Sequence, residues 1–246
     1  MRSRRFVLVL LLGSGLSAAG WFIHAGESTA SEPSTPPSIE RWWERIPAAQ
    51  RQVFGFEDAT PGRLPSAWQQ GCVGEGRTEW KVLATDAGQV LAQVQATNPN
   101  RHFNVAWTTA VELQDGLLSV RLRPTSGKHD QGGGLVWRLK DAANYYVVRA
   151  NPLEDNVVLY KMEKGVRTDL PLVEQGRTYG MNVPKLGKGW HTLAVDVKGD
   201  LFTVLLDGKP LYRVRDTTFP EAGHAGLWTK ADAATGFDDF TIIRRQ

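Results

Sequence analysis

The stretch NYYVVRANPLEDNVVLYK (144–161) combines side chains that can hydrogen-bond a polar ligand with rings that can stack on one. Side chains alternate across a strand, so each of two predicted strands places polar and aromatic residues on one face. These residues are Tyr145, Arg149, Asn151, Asn156 and Tyr160. Arginine and asparagine donate to hydroxyls and carboxylates, and a tyrosine ring can lie on a sugar. The pattern therefore predicts a sugar-binding sheet, although the solvated side of an ordinary sheet gives the same alternation.

Two neighbouring segments carry a related alternation. In 117–123, Arg121 and Arg123 share one side and leucine or valine occupies the other. In 134–139, Trp137 alternates with Arg138. We therefore predict a set of substrate-binding residues, which are Arg121, Arg123, Trp137, Arg138, Asn151, Asn156 and Tyr160.

The elements that must position these side chains are short strands. Apolar runs separated by Gly, Asp, Asn and Pro recur after residue 52, with no helical periodicity of useful length, which is typical of an all-β sandwich or barrel. The predicted strands are 90–96, 117–123, 134–139, 145–150, 156–161, 191–197, 201–206 and 210–214. The dipeptide 207–208, Asp-Gly, predicts a tight hairpin because such a turn needs positive φ. The last three strands should therefore be antiparallel neighbours.

The chain divides into four segments. Residues 1–25 have a basic start, an apolar run and small residues, as a secretory signal does, but an uncleaved N-terminal anchor fits as well. Residues 26–40 are rich in Ser, Thr, Pro and Glu and predict a disordered linker. Residues 41–52 predict one short helix that docks on the main domain, 53–246. We expect export to the periplasm or cell exterior, with a tether to the inner membrane if the anchor is retained.

The charge balance argues against nucleic acid as a partner. The chain has 29 Lys and Arg against 26 Asp and Glu, and three arginines lie in 1–26, which has no acidic residue. The remainder is neutral, whereas nucleic-acid binders keep a basic surface.

Because Cys72 is the only cysteine, no intramolecular disulfide can form and the fold must depend on its hydrophobic core. We expect a monomer.

The stretch GGGLVWRLKDAANYYVVRANPLEDNVVLYK (132–161) resembles the 3-keto-disaccharide hydrolase domain family, a branch of the concanavalin-like jelly rolls. The segments 54–68, 190–211 and 223–242 resemble the first strand, the central hairpin and the closing strands of that family. The resemblance covers 53–243. It implies a jelly-roll sandwich of two curved antiparallel sheets with the ligand on the concave face and, for some members, cleavage of glycosides oxidised at C3.

Such a cleavage can proceed by elimination, because a 3-keto group acidifies the hydrogen at C2. A base removes that proton, the glycosidic oxygen leaves and water adds back, which requires a base, a proton donor and a group that stabilises the oxyanion. From the resemblance and the residue types, Glu154 or Asp155 would be the base and Arg149 would stabilise the oxyanion. Tyr145 or His129 would donate the proton. The alternative is that Glu154 and Asp155 only close the turn between two strands.

Acidic residues near both ends of the domain form a second candidate site. They are Glu57, Asp58, Asp238 and Asp239. The first and last strands of a jelly roll commonly lie together, so these carboxylates could meet and bind Ca²⁺, which prefers oxygen ligands. We predict a structural calcium ion here and no cofactor that the reaction requires. Hairpin-end acids exposed to water are the alternative.

Three functions remain open from the sequence. The first is an exported hydrolase acting on a keto-sugar glycoside, and the second is a non-catalytic carbohydrate-binding module. The third is an interaction domain of the laminin-G type, since one fold hosts all three. A hydrolase requires Glu154 or Asp155 in a cleft beside Arg149, whereas a binding module leaves them at a solvated rim.

Overall fold

The computed structural model describes residues 41–86 and 88–245, so the predicted signal or anchor (1–25) and the predicted linker (26–40) lie outside the described residues. The described chain folds into two antiparallel sheets packed face to face. This arrangement confirms the predicted all-β jelly-roll sandwich. Within the part of the chain that the structure describes, no helix is long and apolar enough to cross a membrane.

The strands of the described residues follow one another in two interleaved sheets. In chain order they are β1 (Gln52–Phe54), β2 (Trp68–Val73), β3 (Trp80–Thr85), β4 (Gly88–Gln93), β5 (Phe103–Leu113), β6 (Gly116–Ser126), β7 (Gly133–Asp141), β8 (Asn144–Asn151), β9 (Asn156–Glu163), β10 (Val166–Asp169), β11 (Met181–Asn182), β12 (His191–Lys198), β13 (Leu201–Leu206), β14 (Lys209–Arg215), β15 (Gly223–Lys230) and β16 (Ala234–Arg244). The first sheet has the order β14-β13-β12-β6-β16-β4-β3, and β1 also pairs with β16. The second has the order β10-β9-β8-β7-β15-β5-β2, and β11 also pairs with β9.

The local hairpins agree with the sequence prediction. Strands β12, β13 and β14 are consecutive antiparallel neighbours. Asp207 and Gly208, which join the last two, have φ of 48° and 74°, the positive values that a tight hairpin requires. The first and last strands also lie together as expected, with Phe54 opposite Phe240.

Apolar side chains fill the space between the two sheets. Trp137 is fully buried there, with its ring centroid 5.6 Å from that of Tyr146 and 5.3 Å from that of Phe202. The prediction that Trp137 binds substrate is therefore wrong. It faces the inter-sheet core, as Leu135 does on the same strand, because alternate residues of β7 point inward.

The second sheet curls around its own outer face. In a flat sheet β10 and β5, five places apart, would lie about 24 Å from each other. The guanidinium carbon of Arg167 in β10 nevertheless lies 5.0 Å from the ring centroid of Phe103 in β5. The β9–β10 turn also approaches β2, because a Cβ added to Gly165 would lie 3.4 Å from Val73 Cγ1. We call this enclosed concave face the trough.

The trough has an apolar core of its own, separate from the one between the sheets. Its buried members are Val105, Val136, Leu139, Tyr145, Val147, Val158, Tyr160, Met162 and Trp228. Along β8 the trough face changes from apolar Tyr145 and Val147 to polar Arg149 and Asn151. Apolar side chains therefore fill one end of the trough. The other end, at Arg149 and Asn151, is polar, and we call it the mouth.

The segment before β1 docks on the outer face of the first sheet. It forms two short 3₁₀ helices, Trp42–Arg45 and Ala48–Gln50, rather than the single helix predicted. Trp42 is buried, and its Nε1 donates to Asp196 Oδ1 at 3.0 Å. Arg245, from the other end of the domain, stacks on the Trp42 ring at 4.4 Å and also donates to Asp196. These contacts hold both ends of the described chain beside Asp196.

Candidate functional site

Arg149 is the central residue of the mouth. Its side chain is 2% exposed, yet Nη2 donates to Glu154 Oε2 at 2.8 Å and to Tyr160 Oη at 3.1 Å. Its Nη1 donates to Asn156 Oδ1. A buried guanidinium is tolerated only when it is paired and hydrogen-bonded, and these contacts meet that requirement for two of its three nitrogens.

Glycines at the start of β7 and directly before it make room for the Arg149 side chain. A Cβ on Gly134 would lie 3.0 Å from Arg149 Cβ, and a Cβ on Gly132 would lie 3.3 Å from Arg149 Cδ. The Gly-Gly-Gly sequence at 132–134 therefore allows a large side chain to lie flat across the neighbouring strand. The glycines belong to the site although they offer no polar side chain.

The turn between β8 and β9 brings its acid back onto the arginine. Glu154 Oε1 accepts a hydrogen bond from Asn151 Nδ2 at 3.2 Å, and Oε2 accepts one from Asn156 Nδ2 at 3.1 Å. The two asparagines lie opposite each other in the register of β8 and β9. The Glu154 side chain is still 40% exposed, so it forms the solvent side of the cluster.

A second acid, Asp130, extends the cluster from the loop before β7. Its Oδ1 accepts from Gly132 N at 2.6 Å and from Asn151 Nδ2 at 3.4 Å. Its Oδ2 pairs with Lys230 Nζ at 3.2 Å, at the end of β15. The mouth therefore presents alternating acidic, amide and basic groups, which suits recognition of hydroxyl-rich ligands.

Asp232 fixes the loop that carries Asp130. Its carboxylate accepts backbone N–H groups from Lys128 at 2.6 Å, His129 at 3.0 Å and Asp130 at 3.1 Å. Burial alone would raise the pKa of Asp232, but these amides favour the charged form and hold the pKa below its ordinary value of 3.8. The loop is thus tied to an ionised carboxylate.

The Asp232 contacts predict an acid-sensitive stability. A lowered folded-state pKa means that the stabilisation is present above the ordinary pKa and is lost as the pH falls through the folded value. We expect Asp232→Asn to lower the free energy of unfolding by about 1–2 kcal/mol at pH 7 and by less at pH 3. Urea unfolding of both proteins at the two pH values measures this difference. An equal loss at both would show that the charge plays no part.

The titration behaviour of Glu154 bears on catalysis. Partial burial tends to raise its pKa, but the charge and hydrogen bond of Arg149 and the hydrogen bond from Asn156 outweigh burial and lower the pKa. A carboxylate in this state is a weak base and no general acid. The cavities lined by Glu57, by Asp115 and by His129 do not include Arg149 or Glu154. The arrangement is suited to hydrogen bonding more than to proton transfer.

Comparison of the sequence with models of known protein families finds a match over most of the domain. Residues 79–245 match the model described as galactocerebrosidase, C-terminal lectin domain. The chain belongs to this lectin-domain family. The likeness of 132–161 to 3-keto-disaccharide hydrolases is a narrower statement, which stays a prediction. A search of curated proteins gives no match for this lectin-domain chain.

Solved structures share the fold of this lectin domain at low sequence identity. The carbohydrate-binding module CBM66 from Bacillus subtilis has a TM-score of 0.54 and 19% identity, covering 72% of this chain and 95% of that chain. The exoplasmic/lumenal domain of VIP36 has a TM-score of 0.51 and 11% identity, covering 81% and 93%. The Crh5 transglycosylase has a TM-score of 0.50 and 14% identity, covering 81% and 86%. At these identities the likeness shows the fold alone.

Three of the predicted catalytic residues do not take part in the mouth of the lectin domain as expected. Tyr145 is fully buried in the trough, where Trp228 Nε1 donates to its hydroxyl at 3.2 Å and burial raises its pKa. Asp155 Oδ1 instead accepts from Leu186 N at 3.0 Å, as part of the turn. His129 is exposed, and its backbone N–H donates to Asp232 Oδ1 at 3.0 Å. The predicted roles of Tyr145, Asp155 and His129 are therefore corrected.

Three predicted substrate-binding arginines also lie away from the mouth. Arg121 and Arg123 belong to β6 of the first sheet and stack on Trp190 at 4.9 and 5.9 Å. Arg138 is buried and donates to three backbone carbonyl groups, including Phe219 O at 2.8 Å, so it fastens loops together. Regular alternation ends at Arg138, whose φ is 48°. Of the predicted binding residues, Asn151, Asn156 and Tyr160 do meet Arg149 and Glu154 at the mouth.

The acidic residues predicted to bind calcium do not form a fitting site. Arg121 Nη1 lies 3.1 Å from Asp239 Oδ2 and 3.5 Å from Asp238 Oδ2. Glu57 Oε1 accepts from Gln89 N at 3.0 Å, and Asp58 is exposed. Among the described residues no three metal-ligating side chains converge. Calcium binding stays a prediction from the sequence, without a ligand set in this arrangement.

Four charged or hydroxyl-bearing side chains at the mouth or beside Tyr160 were not among the predicted site residues. They are Asp130, Arg167, Tyr179 and Lys230. Tyr179 is 45% exposed, and its hydroxyl accepts a hydrogen bond from Tyr160 at 3.0 Å. Lys230 could have been found from β15 alternation, because it follows Trp228 on the same face. Arg167 gave no such signal, since its position depends on how the sheet curls, and Tyr179 gave none because it lies in the loop before β11.

Proposed function

We propose that the domain is a non-catalytic lectin that binds carbohydrate at the mouth of the trough. The observation that carries this proposal is the cluster of Arg149, Glu154, Asn151 and Asn156, whose side chains are held together by hydrogen bonds and border solvent through Glu154. Preorganised donors and acceptors of this kind bind hydroxyl groups with little loss of conformational entropy. The lectin description of the family supports the same function.

The exposed tyrosine beside this cluster would supply the apolar contact. The Tyr179 ring lies 6.0 Å from the Tyr160 ring, edge to face, and its side chain extends to solvent. A sugar has an apolar face that packs on an aromatic ring and a rim of hydroxyls for the polar groups. We therefore place the bound sugar between Tyr179 and Glu154.

The second candidate is hydrolysis of 3-keto-disaccharides or related glycosides. It is supported by the resemblance of 132–161 and by the 2.8 Å contact of Arg149 with Glu154, which were the predicted oxyanion stabiliser and base. It is weakened by the lowered pKa of Glu154. Export to the periplasm or cell exterior belongs to both proposals.

One experiment separates these functions. The purified 246-residue chain is screened against a panel of glycans for binding, and incubated with a 3-keto-disaccharide and its unoxidised form. We expect reversible binding and no release of sugar from either disaccharide. Release from the keto form alone, lost in Glu154→Gln, would establish the hydrolase. Neither binding nor release would favour the interaction domain of the laminin-G type.

Removal of the exposed ring tests the placement of the sugar. We expect Tyr179→Ala to weaken glycan binding by about tenfold, which corresponds to 1.4 kcal/mol. The melting temperature should change little, because nearly half of the Tyr179 surface is already exposed to solvent. Tyr179→Phe, which keeps the ring and removes only the hydroxyl, is the matched control and should bind nearly as the native chain does. Calorimetric titration with a glycan from the panel gives the affinity of each variant, and thermal unfolding gives the melting temperature.

A further inference from the structure

One cation of the trough has no anionic partner among the described residues. Arg167 extends from the edge strand β10 over the Tyr160 ring, with Cζ 4.3 Å from its centroid, and also lies 5.9 Å from the Trp228 centroid. Its Nη1 is buried and has no hydrogen-bond partner in the described part of the chain. An unpaired buried donor is costly, so the guanidinium has an unmet capacity to bind an acceptor.

The other charges of the mouth occur in pairs. Arg149 pairs with Glu154 at 2.8 Å, and Lys230 pairs with Asp130 at 3.2 Å. Arg167 adds a positive charge that none of these carboxylates contacts. The group as a whole therefore has one excess positive charge, which favours an anionic ligand in a site partly shielded from water.

A second unpartnered nitrogen belongs to another arginine near the same tyrosine ring. Arg149 Nε is buried without a hydrogen-bond partner in the described residues, and Arg149 Cζ lies 5.9 Å from the Tyr160 centroid. Two guanidinium groups therefore lie 5.9 and 4.3 Å from the Tyr160 ring centroid. The fork of a guanidinium matches the two oxygens of a planar carboxylate, and such bidentate pairs are among the strong hydrogen bonds of proteins.

Building on the proposed carbohydrate-binding function, we propose that the mouth recognises an acidic sugar and that Arg167 binds the carboxylate of a hexuronate. The hydroxyls of the same sugar bond to Glu154 and the two asparagines beside it, and its ring packs on Tyr179. A neutral hexose leaves Arg167 unpaired, so its binding free energy is less favourable than that of the hexuronate. The site therefore distinguishes two sugars that differ only at C6, where one has a carboxylate and the other a hydroxymethyl group.

The test measures binding of matched pairs by calorimetry with the full chain. The pairs are methyl β-glucuronide with methyl β-glucoside, and methyl β-galacturonide with methyl β-galactoside. We expect one uronide to bind at least about tenfold more tightly than its neutral partner, and the preference to shrink at high salt. Arg167→Met should reduce the preference to near unity, and Arg167→Lys should keep only part of it. Arg215→Met, which alters an exposed arginine of the first sheet, should keep it whole.

The outcomes separate the two proposals. A neutral glycoside that binds as tightly as its uronide overturns the recognition of acid and leaves the lectin function standing. A 6-sulfated galactoside that equals the uronide overturns carboxylate recognition in favour of charge alone. Absence of binding by every glycoside overturns both proposals. If Arg167→Met does not fold, the salt dependence of the native preference decides, because a preference unaffected by salt contradicts an ionic contact.

Discussion

Replacement of Trp137 by alanine is expected to lower the free energy of unfolding by about 3–5 kcal/mol. The ring is fully buried between the sheets, where it stacks on Tyr146 and meets Phe202 edge-on. Its removal leaves a cavity between the two sheets. Because each sheet is held by its own hydrogen bonds, the sheets do not move together to fill that cavity. Urea unfolding followed by circular dichroism measures the loss.

The matched control is Trp190→Ala on the outer face of the first sheet. Trp190 is partly exposed and packs against Arg121, so its loss should cost less than half as much. Trp137→Phe should retain glycan binding, because Trp137 does not reach the mouth. A variant at Trp137 that keeps its stability and loses only glycan binding would show that the ring contacts the ligand after all.

Replacement of Arg149 by methionine is expected to abolish measurable glycan binding, with a loss of at least about a hundredfold. Arg149 holds Glu154 and Asn156 in place, so its removal disorders the groups that meet the sugar. The free energy of unfolding should fall by about 1–3 kcal/mol, since Glu154 is partly exposed and regains water when it loses its partner. Titration calorimetry and urea unfolding give the two quantities.

Arg149→Lys is the control that separates charge from geometry. Lysine keeps the positive charge but lacks the fork that spans Glu154, Asn156 and Tyr160. We expect stability close to that of the native chain and binding closer to that of Arg149→Met. Native-like binding by Arg149→Lys would mean that the charge alone is sufficient and that the hydrogen-bond geometry does not position Glu154.

Strands and hairpins were predictable because their signals are local. The bounds of β13 equal the predicted 201–206, and Asp207 and Gly208 have the positive φ that their types favour. The alternation along 144–161 also placed Arg149, Asn151 and Asn156 on one face correctly. These predictions need only the strand period and the turn chemistry.

The rest of the site depends on the curl of the second sheet. Alternation assigns Tyr145 and Arg149 to the same face, but only the curl encloses the first in apolar surroundings and leaves the second at an open end. The approach of Arg167 to Phe103, across five strand positions, is a property of the whole sheet. The prediction that Arg121 and Arg123 bind substrate was wrong for a related reason. Alternation along a strand does not tell which of the two sheets that strand will join.

The contacts of Trp42, Asp196 and Arg245 have a geometric consequence for the proposed binding site. Both ends of the described chain leave the domain on the outer face of the first sheet, whereas the mouth belongs to the outer face of the second. The full thickness of the sandwich therefore separates Trp42 and Arg245 from the mouth. A glycan bound as proposed would therefore lie on the opposite side of the sandwich from both ends of the described chain.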